Sequence, residues 1–407
     1  MTGRRVWTGL DREAEAGFPQ LRGRRVGAIC NPTSVDWRME HLADLLHGSD
    51  GVELVALFGP EHGIRGDAQD MEGVGSEVDP ATGIPVYSLY GGDVGSLRPR
   101  AEWLDGLDAL VFDVQDVGSR HYTFAATMLY AMEACSGRGI RFVVYDRPNP
   151  IGGVRVEGPS VDPGYESFVG VHPVPIRHGM TVGELARLFA AELSLDLELR
   201  VVACRGWERA MHWPETGIPW IAPSPNMPSY ETALVYPGGC LIEGTNLSEG
   251  RGTTRPFEQW GAPWLEPRGF PRAAVAAEVL VRGCAFRPMF HKFAGQVCQG
   301  LYPHVLDRER FEPVRLYGRF LEWAWQSAPG EFRWRTEAYE FVTEPIAIDL
   351  LFGSSRPRMA IEAGRLGELD GEWRAAEEEF LRRRRPFLIY DEPTALRGTG
   401  RIEDVVI

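Results

Sequence analysis

Acidic side chains in this sequence stand where a chain would leave a strand and enter a loop. Glu61 lies in a Gly-Pro-Glu-His-Gly turn after one apolar run, and Asp116 follows another. Glu243 and Glu249 share a polar loop farther along the chain. Two carboxylates with different environments are the machinery of glycoside hydrolysis, in which a protonated acid delivers its proton to the leaving oxygen. The acids therefore make glycosidase chemistry the first hypothesis.

Among these acids, Glu61 is the strongest candidate for a catalytic role. Its turn, at 59–63, uses two glycines and a proline to fix the direction of one acidic side chain. The other acids fit a structural role equally well, as loop caps or as partners of the many arginines. Aromatic side chains near the loop starts, such as Tyr122, can stack on sugar rings, although core packing is their commoner role.

Motifs for nucleotide chemistry and for a serine nucleophile are missing from the sequence. The apolar run at 25–30 leads into Asn-Pro-Thr and not into a G-x-G-x-x-G loop. A P-loop needs a lysine after its glycines, and the single lysine of the chain, Lys292, follows no such loop. A Schiff-base enzyme would need the same lysine, whose neighbours show no preparation for that task. No G-x-S-x-G elbow is present. We therefore predict no cofactor.

Histidines offer only a weak case for a metal site. No H-E-x-x-H motif occurs, and the six cysteines form neither a C-x-x-C pair nor a zinc-ribbon spacing. His62, His121 and His178 stand beside polar loop residues and could act together as ligands. A single loop histidine more often makes a local hydrogen bond, so we predict no metal.

The composition of the chain argues against some classes of binding partner and indicates a cellular compartment. The 407 residues carry 57 acidic and 43 basic side chains, a net charge of −14, which argues against nucleic acid. No apolar run reaches the ~18 residues of a membrane span. Scattered cysteines are typical of a reducing compartment, and the first residues contain no apolar segment of a signal peptide. These features predict a cytoplasmic protein. They indicate no oligomeric state.

Apolar runs alternate with helical patterns over the first 150 residues. This alternation predicts an α/β, Rossmann-like domain, with a parallel sheet and helices on both faces. Predicted strands lie at 25–30, 54–58, 85–89, 109–113 and 141–145, and predicted helices lie at 37–47, 124–135, 181–193 and 273–281. Because ligands bind at the carboxyl ends of parallel strands, we expect the loops that follow these strands to form one cleft.

A change in the sequence pattern near residue 285 predicts a second domain. Short aromatic segments replace the α/β pattern from there onward. We therefore expect a Rossmann-like catalytic domain over 1–280 and a smaller α+β domain over 285–407.

Several long blocks resemble the exo-acting β-N-acetylmuramidases, a family of bacterial peptidoglycan hydrolases. The resemblance runs from about residue 25 to residue 390. The blocks that carry it read LFGPEHGIRG at 57–66, VFDVQDVGSR at 111–120, DRPNP at 146–150, RHGMT at 177–181, PSPNMP at 223–228 and EGTNLSEGRGTTRP at 243–256.

The resemblance implies an activity and a catalytic residue. Family members release N-acetylmuramic acid (MurNAc) from the non-reducing end of peptidoglycan fragments, and a smaller carboxy-terminal domain helps to line their cleft. The glutamate of the Gly-Pro-Glu-His-Gly block is their proposed catalytic residue, which here is Glu61. Secreted members carry a signal peptide. The lack of one here favours cytoplasmic turnover of small carbohydrates such as MurNAc linked to N-acetylglucosamine (MurNAc-GlcNAc).

The resulting hypothesis makes Glu61 the proton donor and leaves the second group open. Asp116, Glu243 and Glu249 are candidates for the nucleophile or the water activator, and the 2-acetamido group of the substrate is an alternative. An arginine pair would suit the lactyl carboxylate of muramic acid. The candidate substrate-binding residues are His62, Arg65, Gln115, Arg120, Tyr122, Asn149, His178, Asn226, Asn246, Arg251 and Arg255.

Two rival functions remain open at this stage. One is a non-catalytic muropeptide or sugar-acid binding protein, and the other is a metal-assisted amidase or deacetylase that acts on the same sugars. Retention and inversion are equally open, because they depend on the separation of the two carboxylates.

Overall fold

The computed structural model describes residues 5–61, 63–64, 77–272 and 275–392. Within this part of the chain, the larger sheet has seven strands in the order β3-β4-β2-β1-β5-β6-β7. All pair in parallel except the short edge strand β3, which runs antiparallel to β4. The strands are β1 Arg24–Cys30, β2 Val52–Gly59, β3 Glu77–Val78, β4 Pro85–Ser88, β5 Ala109–Asp113, β6 Arg141–Tyr145 and β7 Leu199–Val202.

Helices cover both faces of this sheet, which confirms the predicted Rossmann-like class. Successive side chains of a strand point to opposite faces, so Phe112 joins one apolar cluster and Val111 joins the other. Helices α4 and α5 pack in the first cluster, and α1 and α2 in the second. The helices are α1 Gly9–Ala16, α2 Leu42–His47, α3 Ala101–Leu104, α4 Phe124–Cys135, α5 Val182–Glu192, α6 Trp213–Thr216 and α7 Tyr230–Gly239.

A smaller antiparallel sheet and further helices form the second part of the fold. The order of its strands is β8-β10-β9, with β8 Trp260–Ala262, β9 Val279–Phe286 and β10 Cys298–Val305. The helices that follow are α8 Pro313–Ser327, α9 Ala347–Phe352, α10 Arg356–Glu362 and α11 Asp370–Arg383. The predicted boundary at 280–285 falls inside β9, and it stays a prediction.

The predicted helix at 273–281 is wrong where the structure describes it. Val279 and Val281 are buried and Leu280 is exposed, the alternation of a strand, and all three pair with β10. The predicted start of α2 at 37 is also early, since the helix begins at Leu42. In the described residues, no helix has both the length and the apolar character that a bilayer crossing requires.

A buried ion pair joins the carboxyl ends of β5 and β6. Arg147 donates through Nε to Asp113 Oδ1 at 2.6 Å and through Nη2 to Oδ2 at 2.8 Å. The side chains are 4% and 0% exposed, so water contributes almost nothing to their solvation. The pair therefore fixes the two loops that leave the centre of the sheet.

We expect Asp113→Ala to lower the free energy of unfolding by about 3–5 kcal/mol, because it leaves the Arg147 charge buried without its partner. Chemical denaturation would measure this loss. Asp105→Ala is the matched control, because Asp105 is exposed and lies 3.8 Å from Arg138. Its loss should stay below about 1 kcal/mol. Equal losses in the two variants would contradict the role given to the buried pair.

Candidate active site

One cleft collects loops from both parts of the fold. The empty space between its atoms, including narrow gaps and the open solvent at its mouth, amounts to about 480 Å³. Residues that follow β2 and β5 line the cleft from the first part of the fold. Two adjacent residues after α8 line it from the second part. The lining residues are Glu61, His121, Tyr122, Thr123, Phe124, Val169, Ser224, Asn226, Met227, Tyr236, Glu243, Arg251, Phe257, Tyr339 and Glu340.

Glu61 enters the cleft from the turn after β2. The Gly63 N–H donates to the Pro60 carbonyl at 2.9 Å, and Gly63 adopts φ +75°, a conformation that favours glycine. The carboxyl group is buried, and the Thr123 hydroxyl donates to its Oε2 at 2.8 Å. Thr123 immediately precedes α4, so a rigid helix end holds the contact.

Glu243 forms the second acidic centre of the cleft. Its Oε1 accepts from Arg251 Nη2 at 2.7 Å and from Nε at 3.2 Å, and its Oε2 accepts from the Tyr339 hydroxyl at 2.7 Å. The Arg251 guanidinium also lies 5.1 Å from the centre of the Phe257 ring. Both oxygens of Glu243 are thus engaged, and its orientation is fixed.

Tyr122 lies close to the acids of the site. Burial raises the pKa of its hydroxyl well above the usual range, and the nearby carboxylates of Glu61 and Asp116 raise it further. The hydroxyl therefore stays protonated and can donate a hydrogen bond. The ring packs edge-on against Phe124 and Tyr236, which fixes its position.

Asp116 and His178, two predicted site residues, lie together outside the cleft lining. Asp116 Oδ2 accepts from the Gly118 N–H at 2.5 Å and lies 3.6 Å from His178 Nε2. The Met180 N–H donates to His178 Nδ1, so a neutral ring carries its proton on Nε2, facing Asp116. Both side chains are buried.

Three other predicted binding residues hold loops instead of facing the cleft. Arg120 donates to the carbonyls of residues 159, 174 and 351, and so ties the first part of the fold to the second. Asn149 donates to the carbonyl of residue 180 and accepts from the N–H of residue 151. Gln115 donates to the carbonyls of residues 116 and 148.

The remaining predicted residues of the second acidic loop are also absent from the cleft lining. Glu249 is buried beside Lys292, whose ammonium lies 3.0 Å from its Oε2. Asn246 bonds the backbone of residues 331 and 333, and the half-exposed Arg255 lies 3.4 Å from Glu258.

Of the fifteen predicted residues, the structure thus brings five into the cleft: Glu61, Tyr122, Asn226, Glu243 and Arg251. His62 and Arg65 lie outside the described residues. His121 lines the cleft, where burial lowers its pKa to about 3 and its Nε2 bonds the carbonyl of residue 351. The described part of the chain contains no group of three His, Cys, Asp or Glu arranged to hold a metal.

Sequence reasoning missed Tyr339 and Glu340. They reach the cleft from the second part of the fold, 96 residues beyond Glu243 in the case of Tyr339. Glu340 has a positive φ of 45° and accepts from the Tyr90 hydroxyl at 3.3 Å. Backbone strain of this kind gathers at functional sites, but no local pattern in the sequence announces it.

Comparison with known protein families shows the family to which the chain belongs. The amino-terminal model of the exo-β-N-acetylmuramidase NamZ matches residues 26–231, and the carboxy-terminal model matches 234–390. The chain belongs to this family. The resemblance inferred from the sequence blocks is therefore confirmed.

Relatives agree with this assignment over nearly the whole chain. The peptidoglycan β-N-acetylmuramidase NamZ of Bacillus subtilis strain 168 is 43% identical over 390 residues, which cover 95% of this chain and 92% of that protein. Two crystal structures of DUF1343 family proteins from Bacteroides fragilis share the fold. One has a TM-score of 0.84 at 33% identity, covering 95% of this chain and 99% of its own. The other has 0.73 at 29%, covering 96% and 100%.

We expect Arg120→Met to lower the free energy of unfolding by at least about 3 kcal/mol, because three buried carbonyls lose their donor. The KM for a chromogenic β-N-acetylmuramide, measured where the variant is fully folded, should stay unchanged. Arg138→Met, at an arginine whose side chain is 39% exposed, is the control and should leave stability nearly unaltered. A raised KM with unchanged stability would instead indicate that Arg120 binds the substrate.

Proposed function

We propose that this chain is an exo-acting glycoside hydrolase that releases MurNAc from the non-reducing end of peptidoglycan fragments such as MurNAc-GlcNAc. The observation that carries the proposal is the buried Glu61, held by Thr123 at the wall of a cleft that also contains Glu243 and Arg251. Membership in the exo-β-N-acetylmuramidase family supports the substrate class.

Glu61 is the proposed general acid and base. A general acid needs a partner that tolerates both of its protonation states. The Thr123 hydroxyl meets this need, because it can donate to a carboxylate and accept from a carboxylic acid. Glu61 would protonate the glycosidic oxygen as the bond to the sugar breaks, and then take a proton from the incoming water.

Glu243 is the proposed second carboxylate. It lines the cleft, whereas Asp116 and Glu249 do not. Arg251 and Tyr339 hold it in one orientation, as expected for a group that stabilises positive charge on the sugar or directs a water molecule. The acetamido group of the substrate remains the alternative nucleophile.

Arg251 is the proposed partner of the lactyl carboxylate, the group that distinguishes muramic acid from glucosamine. Its guanidinium lines the cleft and is oriented by Glu243 on one edge. A planar fork of N–H donors suits a carboxylate better than a single ammonium does. Asn226 and the Tyr122 hydroxyl offer hydrogen bonds to the neutral groups of the sugar.

The proposal places this reaction in the cytoplasm. Cys135, Cys204, Cys240 and Cys298 are buried free thiols. Unpaired thiols of this kind suit a reducing compartment. Recovered disaccharides would be the substrate there.

Glu61→Gln should lower kcat on a chromogenic β-N-acetylmuramide by about 10²–10⁴-fold, because the amide cannot deliver a proton. Binding of MurNAc, measured by calorimetry, should persist. Glu258→Gln is the matched control, since Glu258 is similarly buried but lies outside this cleft. Full activity of Glu61→Gln would remove Glu61 from the mechanism.

The same assay separates the rival functions. A binding protein would show MurNAc affinity and no turnover in the unaltered chain. An amidase or deacetylase would release peptide or acetate instead of the sugar, with a loss of activity in chelator. Release of the chromophore from the muramide alone supports the proposed glycosidase.

Arg251→Met should raise the Ki of MurNAc about 10–100-fold, because a charge-assisted hydrogen bond contributes about 1.5–3 kcal/mol. The Ki of N-acetylglucosamine, which has no lactyl group, should not change. Arg255→Met serves as the control, because this arginine lies outside the cleft lining. An equal rise in the Ki of both sugars would show that Arg251 does not recognise the lactyl carboxylate.

A further inference from the structure

Lys292 is the single lysine in a chain whose other 42 basic residues are arginines. It lies in the connection between β9 and β10, between two residues in the left-handed region, His291 at φ +67° and Phe293 at φ +57°. Non-glycine residues adopt this region at a cost in free energy. The backbone is therefore held in a strained form that aims this one side chain.

The Lys292 ammonium reaches three acceptors of a single segment. It donates to the carbonyls of Leu247 at 3.0 Å and Ile242 at 3.4 Å, and to Glu249 Oε2 at 3.0 Å. An ammonium carries its N–H donors on one atom, so they can serve acceptors that converge on one point. A guanidinium spreads its donors over a plane and cannot reproduce this contact.

The segment held by Lys292 contains Glu243 and leads directly to Arg251, and both of these side chains line the cleft. Arg251 lies between two carboxylates, 2.7 Å from Glu243 and 3.6 Å from Glu249. Burial opposes the ionisation of Glu249, yet the charge of Lys292, a hydrogen bond from His291 and the charge of Arg251 hold its pKa far below the usual range. Glu249 is thus a buried anion whose closest cation is Lys292.

We propose that Lys292 is a positioning residue for Arg251: its three hydrogen bonds place the ammonium on Glu249 and so occupy that carboxylate, which leaves Arg251 on Glu243 and facing the cleft. Without the ammonium, the buried Glu249 carboxylate draws the guanidinium from 3.6 Å toward itself. Arg251 then leaves the place where it meets the lactyl carboxylate. This inference rests on the proposed function, because it assumes that Arg251 binds that group.

The test compares Lys292→Met with Lys292→Arg. Both variants should raise the Ki of MurNAc about tenfold and leave the Ki of N-acetylglucosamine unchanged. The arginine variant should fail to rescue, because its charge is retained but its geometry is wrong. An unchanged Ki in Lys292→Met, with Arg251→Met still showing its own effect, would overturn the inference and leave the proposed function intact.

A second substitution separates positioning from loss of structure. Adding Glu249→Gln to Lys292→Met removes the anion that competes for Arg251, so the MurNAc affinity should recover at least in part. A lysine that only stabilises the fold would give a double variant weaker than either single one, and this result would overturn the inference.

The unaltered chain supplies a further test if these variants do not fold. Reductive dimethylation modifies only Lys292 and the terminal amine, keeps the positive charge and removes N–H donors. We expect the modified enzyme to bind MurNAc more weakly and N-acetylglucosamine as before. Equal affinity for MurNAc, once mass spectrometry shows that Lys292 is modified, would overturn the inference.

Discussion

The contact of Glu243 with Arg251 and Tyr339 joins distant parts of the chain at one buried point. Glu243 follows α7, and Tyr339 arrives after α8, so the contact forms only when the second part of the fold has packed on the first. A buried carboxylate is stable only with donors on it. The need to satisfy this one acid therefore determines where the far wall of the cleft stands relative to Glu61.

The two acids of the cleft stand on different loops, and hydrogen bonds from other elements of the fold hold each of them. The Thr123 hydroxyl, at the start of α4, donates to Glu61, and Arg251 and Tyr339 donate to Glu243. Glycoside hydrolysis gives its two carboxylates unequal roles, because one group must transfer a proton while the other faces developing positive charge.

Local patterns in the sequence predict the parallel sheet, α4 and the turn of Glu61, because each depends on neighbouring residues. The predicted helix at 273–281 is wrong because it too rests on neighbouring residues alone. Pairing with β10 overrides the helical preference of this segment. The sequence predicts that Arg120 and Asn149 bind substrate, because polar residues at strand ends can either contact a ligand or support a loop. Loops there leave buried carbonyls and N–H groups that need partners, and these side chains supply them. Tyr339 reaches the cleft through long-range packing, which no local pattern encodes.

The abundance of arginine has a structural consequence that composition alone does not reveal. Arg120, Arg177, Arg209 and Arg384 are all buried, and each donates to backbone carbonyls of separate loops. A guanidinium is suited to this task, since its donors point along several directions in one plane and reach carbonyls that lie apart. Lys292 meets the opposite condition, with its acceptors gathered around one point. Arginine thus stands where the acceptors that need a donor lie apart, and lysine stands where they converge on one point.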